Sequence, residues 1–193
     1  MKTAKDLPKN VVLKADMKPE VYINGQISHG IGFEKTIGGL SCEMQLILGD
    51  TWESATDLGI VNTHIGFPCS DSEEFVWSQP FEFLFTSDSY NGWPFAILKV
   101  LTFDESNKIE VISYCKFFIP KESGFHEIKC RTWTPVGDSA SNDLAYFFGS
   151  YPRLKDISHL AFNEDKMKFL KTTGNGSVMV TLNVSRGNFN RSR

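Results

Sequence analysis

Apolar and polar residues alternate along most of this chain, and the alternation predicts a series of short β-strands. Phe95–Phe103 is apolar at nearly every position and follows the Trp93-Pro94 step, which favours extended backbone. Since the residues at odd and at even positions are both apolar, the run predicts a central strand covered on both faces. Strict alternation at residues 42–48 and 81–85 instead predicts strands that bury one face only.

Glycine and proline divide the rest of the pattern. Residues 21–27 predict a first strand, in which Gly25 marks a bulge or a close approach of backbone. Pro80 and Pro120 are interpreted as strand ends, because proline lacks the amide that a sheet needs.

Two further local signals lie in the second half of the chain. Residues 166–172 and 177–185 flank Thr173-Gly174-Asn175-Gly176, which is typical of a hairpin turn. An Asp138-Ser139 cap predicts one short helix that continues to residue 148. The complete pattern predicts an all-β antiparallel sandwich of about eight to nine strands with one short helix.

Length and charge define the domain and its partners. The chain of 193 residues fits a single domain at 20–185, preceded by a flexible basic arm at 1–19 and followed by a basic tail at 186–193. The arm holds five lysines and two aspartates, and the tail holds three arginines. The net charge of −3 does not favour nucleic acid as a partner. The basic ends either keep the chain in solution or contact an anionic membrane or an acidic partner.

The cysteines indicate the compartment. Cys42, Cys69, Cys115 and Cys130 form no CxxC pair, and the lysine-rich start of the chain has no apolar segment typical of a signal peptide. No apolar run approaches the length of roughly 18 residues that a membrane span needs. We therefore expect a soluble intracellular protein with free thiols.

No motif in the sequence predicts catalysis. The chain lacks the nucleophile elbow, the HExxH zinc motif, the phosphate-binding loop and the dinucleotide fingerprint. A zinc site built from distant cysteines and histidines stays open as an alternative. Asp104 and Glu110 bracket one turn, but two carboxylates are too few for calcium. We expect a binding module with no cofactor and no metal, and not an enzyme.

The order of motifs resembles the middle of a C2 domain, and more narrowly the B-nine domain family, over about residues 20–191. Five short motifs carry the resemblance: Gly25-Gln26 within the first strand, Trp77-Ser78-Gln79-Pro80, Asn91-Gly92-Trp93-Pro94, Cys130-Arg131-Thr132-Trp133-Thr134-Pro135, and Gly187-Asn188-Phe189-Asn190-Arg191.

The resemblance implies a non-enzymatic scaffold subunit of the Meckel-syndrome complex at the ciliary transition zone and basal body. It implies a location in the cytoplasm, with the cytoskeleton, at the base of the cilium. The implied partners are other B-nine proteins in a hetero-oligomer, and the implied role is cilium assembly and control of which proteins enter the cilium. The alternative is a calcium-independent peripheral lipid-binding C2 module that uses the basic ends on an anionic membrane.

The resemblance also assigns candidate residues, either structural or partner-binding: Gly25, Gln26, Trp77, Pro80, Gly92, Trp93, Pro94, Trp133, Pro135, Asn188 and Phe189. Trp93 and Trp133 are candidate interface anchors, although a packing role is expected first. Calcium-binding C2 domains carry acidic residues at positions that hold Cys42 and Thr102 here, and only Asp104 keeps a carboxylate. Calcium binding is therefore not expected.

Overall fold

The computed structural model describes residues 18–33, 38–68, 73–89, 91–103, 108–137, 152–154, 157 and 170–189. These residues form nine strands: β1 (Glu20–Ile31), β2 (Leu40–Ile47), β3 (Trp52–Ser54), β4 (Val61–Asn62), β5 (Glu74–Ser87), β6 (Phe95–Phe103), β7 (Ile109–Phe118), β8 (Gly124–Pro135) and β9 (Thr172–Gly187). The short helix predicted at 138–148 lies outside the described residues. Within the described ranges, no helix has the length and apolar character needed to cross a membrane.

All nine strands belong to one antiparallel sheet in the order β3-β5-β1-β9-β8-β7-β6-β2-β4. The pairing between β7 and β8 is a single residue pair, Tyr114 with Trp133, which we call the joint. On either side of the joint, the five strands from β3 to β8 and the four from β7 to β4 bury their inner faces in one shared core. The predicted all-β antiparallel sandwich is confirmed, and its two layers are halves of one curled sheet.

The core follows the alternation of the sequence. Phe81, Phe83 and Phe85 on β5 point inward, and their ring centroids are spaced 6.1 Å apart. They pack against inward residues of β1 such as Val21 and Ile23, which are fully buried. Burying a side chain of this size contributes about 1.5–3 kcal/mol relative to leaving it exposed, so this face holds β5 on β1.

The central strand β6 is covered on both faces, as predicted. The side chains at even-numbered positions, Ala96, Leu98 and Val100, lie in the main core. The odd-numbered Phe95 and Ile97 point to the other face, where they form a second, smaller cluster with Tyr114 of β7. Leu154 and Ile157 pack on this cluster. Both faces of the strand are therefore closed to solvent over most of its length.

Gly25 marks a close approach of backbone, which is one of the two alternatives that the sequence left open. A Cβ on this residue would lie 2.2 Å from Thr181 O on β9. The irregular register of β1 falls later, between Ile27 and His29. The glycine thus lets β9 pack closely against β1.

The predicted hairpin around Gly174 is wrong. Residues 172–187 form the single strand β9, which pairs with β8 and with β1. The glycines lie at a register shift opposite Arg131 and Trp133 of β8, and Gly176 takes a left-handed conformation with φ of 74°. Two flanking strands pair with β9 over most of its length, so long-range pairing outweighs the local preference for a turn.

The interpretation of Pro80 as a strand end is also wrong, because β5 continues through it from Glu74 to Ser87. β3 covers only residues 85–87 of β5, so within the described chain Pro80 has β1 as its one strand neighbour. A proline is tolerated in such an edge position, where its missing amide interrupts no ladder. Pro120, in contrast, lies two residues beyond the end of β7.

We predict that Gly25→Ala destabilises the protein by about 3 kcal/mol or more, because the new methyl group would overlap the backbone of β9. Gly174→Ala is the matched control, since a Cβ there meets nothing within 4 Å. Urea unfolding followed by intrinsic fluorescence measures both. Equal stability of the two variants would contradict the close approach.

Candidate interaction surface

Two glycines bring the loops together at one end of the sandwich. Gly92 has φ of 67°, and a Cβ on it would lie 2.7 Å from the Cα of Gly49. The Gly49 amide donates to Gly92 O at 3.1 Å. Glycine is required at position 92, because the contact distance leaves no room for a Cβ and the left-handed conformation also disfavours a side chain. This contact fixes where Trp93 enters the structure.

Trp93 is held by two further contacts. Its indole N–H donates to Ile119 O at 2.8 Å. Its ring meets Trp52 edge to face at 5.1 Å, and the Trp52 indole donates to Asn91 O at 2.8 Å. Because both indoles are hydrogen-bonded and packed together, they form a rigid aromatic block, and the adjoining Pro94 is buried.

A groove of about 670 Å³ opens beside this block, and we call it the tryptophan groove. Trp93, Phe95 and Phe118 provide its aromatic surface, and Phe118 is 61% exposed. The Lys116 ammonium lies 4.2 Å from the centre of the Phe95 ring, and that of Lys121 lies 6.0 Å from the Trp93 ring. The groove is thus aromatic with cations over its rings.

A second depression, of about 640 Å³, lies on the outer face of β5, β1, β9 and β8, and we call it the amide face. It brings together the motif residues Gly25, Gln26 and Pro80, since Gln26 pairs with Pro80 across β1 and β5. Asn24 and Asn183 lie in an adjacent row, and the 71% exposed Phe125 also lines the depression. This face offers amide groups next to one exposed ring.

The remaining motif aromatics pack within the fold. Trp77 is buried and donates its indole N–H to Leu40 O at 2.9 Å, which links the two layers. Trp133 is half-buried and its ring packs against that of Tyr114 at the joint, tilted by 36° with 5.5 Å between the ring centroids. Pro135 is buried at the end of β8.

The last motif connects the two ends of the domain. Asn188 takes a left-handed conformation with φ of 62°, and its side-chain amide donates to Lys18 O at 3.5 Å. Phe189 packs against the main core beneath the Arg186 guanidinium, 5.7 Å away. The pKa of the Lys18 ammonium is raised mainly by its hydrogen bond to Asp88, and next by the negative charge of that carboxylate.

Two of the three positions that correspond to calcium ligands in C2 domains, Cys42 and Thr102, lie in the described part of the chain. Cys42 is fully buried, and this burial raises the pKa of its thiol. The charges of the neighbouring Cys115 and Glu43 raise the pKa further. Thr102 is half-buried within β6, opposite Leu40. Asp104 lies outside the described residues. Among the residues that are described, no group of three or more histidines, cysteines or acidic residues could hold a metal ion.

The exposed Phe118 and the two lysines of the tryptophan groove were not among the candidate residues predicted from the sequence. One signal was available: Phe117 and Phe118 are adjacent in a strand, so their side chains must point to opposite faces. Phe117 is buried in the main core, which leaves Phe118 on the outer face.

Comparison with known proteins identifies a matching family. A family model, B9-C2, described as "Ciliary basal body-associated, B9 protein", matches residues 21–185. The B9 domain-containing protein 2 of Xenopus laevis is 31% identical over 172 residues, which cover 89% of this chain and 96% of that protein. The Danio rerio and Homo sapiens proteins of the same name are 27% and 25% identical with the same coverage.

Among solved structures, a C2 domain of plant Extended Synaptotagmin 1 aligns with 89% of this chain and 99% of its own. The identity is 10% and the TM-score is 0.46. The fold assignment therefore rests on the strand pairing described above.

We predict that Trp93→Phe destabilises the protein by about 1–3 kcal/mol beyond the loss of ring area, because Ile119 O loses its donor. Trp133→Phe removes the same atoms from a ring that packs against Tyr114, and it serves as the comparison. Thermal unfolding compares the two variants. Equal losses would contradict an anchoring role for the Trp93 indole.

Proposed function

The chain belongs to the B9-C2 family of ciliary basal body-associated proteins, and from this we propose that it is a non-enzymatic scaffold subunit at the ciliary transition zone. It associates with other B9 domain proteins in a hetero-oligomer of the Meckel-syndrome complex. In that complex it contributes to cilium assembly and to the control of protein entry. The match over residues 21–185, which span all nine strands except the first residue of β1 and the last two of β9, carries the proposal.

The chemistry of the two depressions supports a binding role. Their linings are mainly aromatic rings, amides and lysines, which suit recognition of another surface more than activation of a nucleophile. Several hydroxyl groups are used within the fold. Thr63 Oγ1 donates to His64 O at 2.8 Å, and Thr134 Oγ1 donates to Ile112 O at 2.5 Å.

The position of the two depressions supports a bridging role. The tryptophan groove lies on the half that contains β6 and β7, and the amide face lies on the half that contains β1, β5, β8 and β9. A subunit that connects two partners needs two separate surfaces, each burying about 800 Å² in a standard interface. This chain has an exposed ring on each half, Phe118 and Phe125.

A peripheral lipid-binding module is the second candidate function, and one contact favours it. The Asn188 side-chain amide donates to Lys18 O, which brings the start of the basic tail next to the end of the basic arm. Adjacent basic segments would add their attraction to an anionic membrane, about 1 kcal/mol for each lysine or arginine near the surface. This function requires no calcium.

We predict that the tagged full-length chain, purified from ciliated cells, recovers other B9 domain proteins in comparable amounts, as quantified by mass spectrometry. The tag alone is the control. In parallel, the chain is mixed with vesicles of phosphatidylcholine and phosphatidylserine.

Absence of B9 domain proteins from a folded bait would contradict the scaffold proposal. Salt-sensitive vesicle binding that is lost on removal of residues 1–17 and 190–193 would then favour the lipid-binding module.

A further inference from the structure

An apolar row on the outer face of β2, β6 and β7 leaves one of its ends exposed. Ile47 pairs with Phe95, and Phe95 pairs with Phe118, so the three side chains lie side by side. Leu154 and Ile157 pack on the cluster that contains Phe95 and that Ile47 also contacts. Phe118, at the β7 end of the row, is 61% exposed. The row therefore presents an apolar anchor point beside the tryptophan groove.

The groove is concave and has a fixed wall. Its volume of about 670 Å³ lies within the range of about 300–1,000 Å³ that is typical of ligand pockets. Trp93 forms this wall and is only 9% exposed, and its hydrogen bond to Ile119 O holds it in place. A preformed aromatic wall lowers the cost of ordering the site when a partner binds. Aromatic residues in such pockets are the usual anchors of protein interfaces.

The charge around the groove is predominantly positive. Lys116 and Lys121 line it, and Asp50 is the single acidic residue among its described lining. Burial raises the pKa of the Tyr114 phenol on this face, and the Leu154 amide and then the charge of Arg153 oppose that rise, which adds Arg153 to the cations near the groove. A carboxylate held near these cations would gain charge-assisted contacts, and an apolar side chain next to it would reach the rings.

We propose that the tryptophan groove binds an acidic segment of a partner B9 domain protein, and that this segment inserts one large apolar side chain against Trp93 and Phe118. The inference rests on the proposed scaffold function and names the surface that carries it. A protein segment fits better than a lipid surface, because a flat bilayer does not reach a concave wall.

The test uses the purified full-length chain and, as the probe, the purified B9 domain protein recovered with it from cells. The groove variant is Phe118→Ser with Lys121→Glu, two exposed positions. The control variant is Phe67→Ser with Lys171→Glu. Phe67 is 70% exposed, and both control residues lie at the opposite end of the sandwich. The two variants make the same chemical changes. Thermal unfolding confirms that each is folded, and titration calorimetry measures affinity.

We predict that the groove variant binds the partner at least about tenfold more weakly, while the control variant binds like the wild type. Wild-type binding should also weaken as salt concentration rises. Unchanged affinity of the groove variant, or equal losses in both variants, overturns the inference and leaves the scaffold function standing. Failure of the wild-type chain to bind any B9 domain protein overturns both.

Binding to vesicles of phosphatidylcholine and phosphatidylserine tests whether the groove recognises an anionic lipid headgroup instead of an acidic protein segment. If the groove variant loses vesicle binding but keeps its affinity for the partner protein, the groove is a lipid site and the inference is wrong. If vesicle binding is the same in all three proteins, the groove is specific for protein.

Discussion

The single pairing of Tyr114 with Trp133 connects the two halves of this sheet, and a small network supports it. The two rings pack together in a tilted arrangement, with their centroids 5.5 Å apart. One residue beyond Trp133, Thr134 Oγ1 donates to Ile112 O, and the side-chain amide of Asn175 reaches the same carbonyl at 3.5 Å. These bonds tie β7 to β8 and β9 with a minimum of backbone pairing. A longer ladder here would hold the halves side by side and keep their inner faces from closing on one core.

The same joint explains where the tryptophan groove lies. Beyond Tyr114 and Trp133 the two strands separate, and β7 connects to β8 through residues 119–123 at the end of the sandwich. Ile119, the first residue of that connection, accepts the Trp93 indole hydrogen bond and donates its own amide to Pro94 O at 3.2 Å. The Asn91-Gly92-Trp93-Pro94 motif thus closes the end of the fold and forms the wall of the groove.

Local sequence determined some features and long-range pairing determined others. The two-sided burial of β6 and the crowding at Gly25 follow from residue type, since an apolar run needs cover on both faces and a glycine in a strand marks close backbone. The Gly174-Asn175-Gly176 turn and the break at Pro80 were predicted incorrectly. Their outcome depends on neighbouring strands that lie far away in the chain. Periodicity within one segment contains no information about those neighbours.

The candidate surface was harder to predict from the sequence than the fold was. The family motifs marked Trp93, but Phe118 and Lys121 come from a strand and a loop that the motifs do not include. Their convergence depends on the register of β6 with β7, which pairs Phe95 with Phe118. The interface role of Gln26, Pro80 and the other motif residues stays a prediction.

The central claim is that this chain is an assembling subunit of a B9 domain complex. The most direct measurement mixes the purified chain with purified B9 domain proteins and determines the mass of the product by light scattering after gel filtration. The account predicts one stable species whose mass equals the sum of its different subunits. Separate elution of every protein at its own mass, with each one folded, would contradict it.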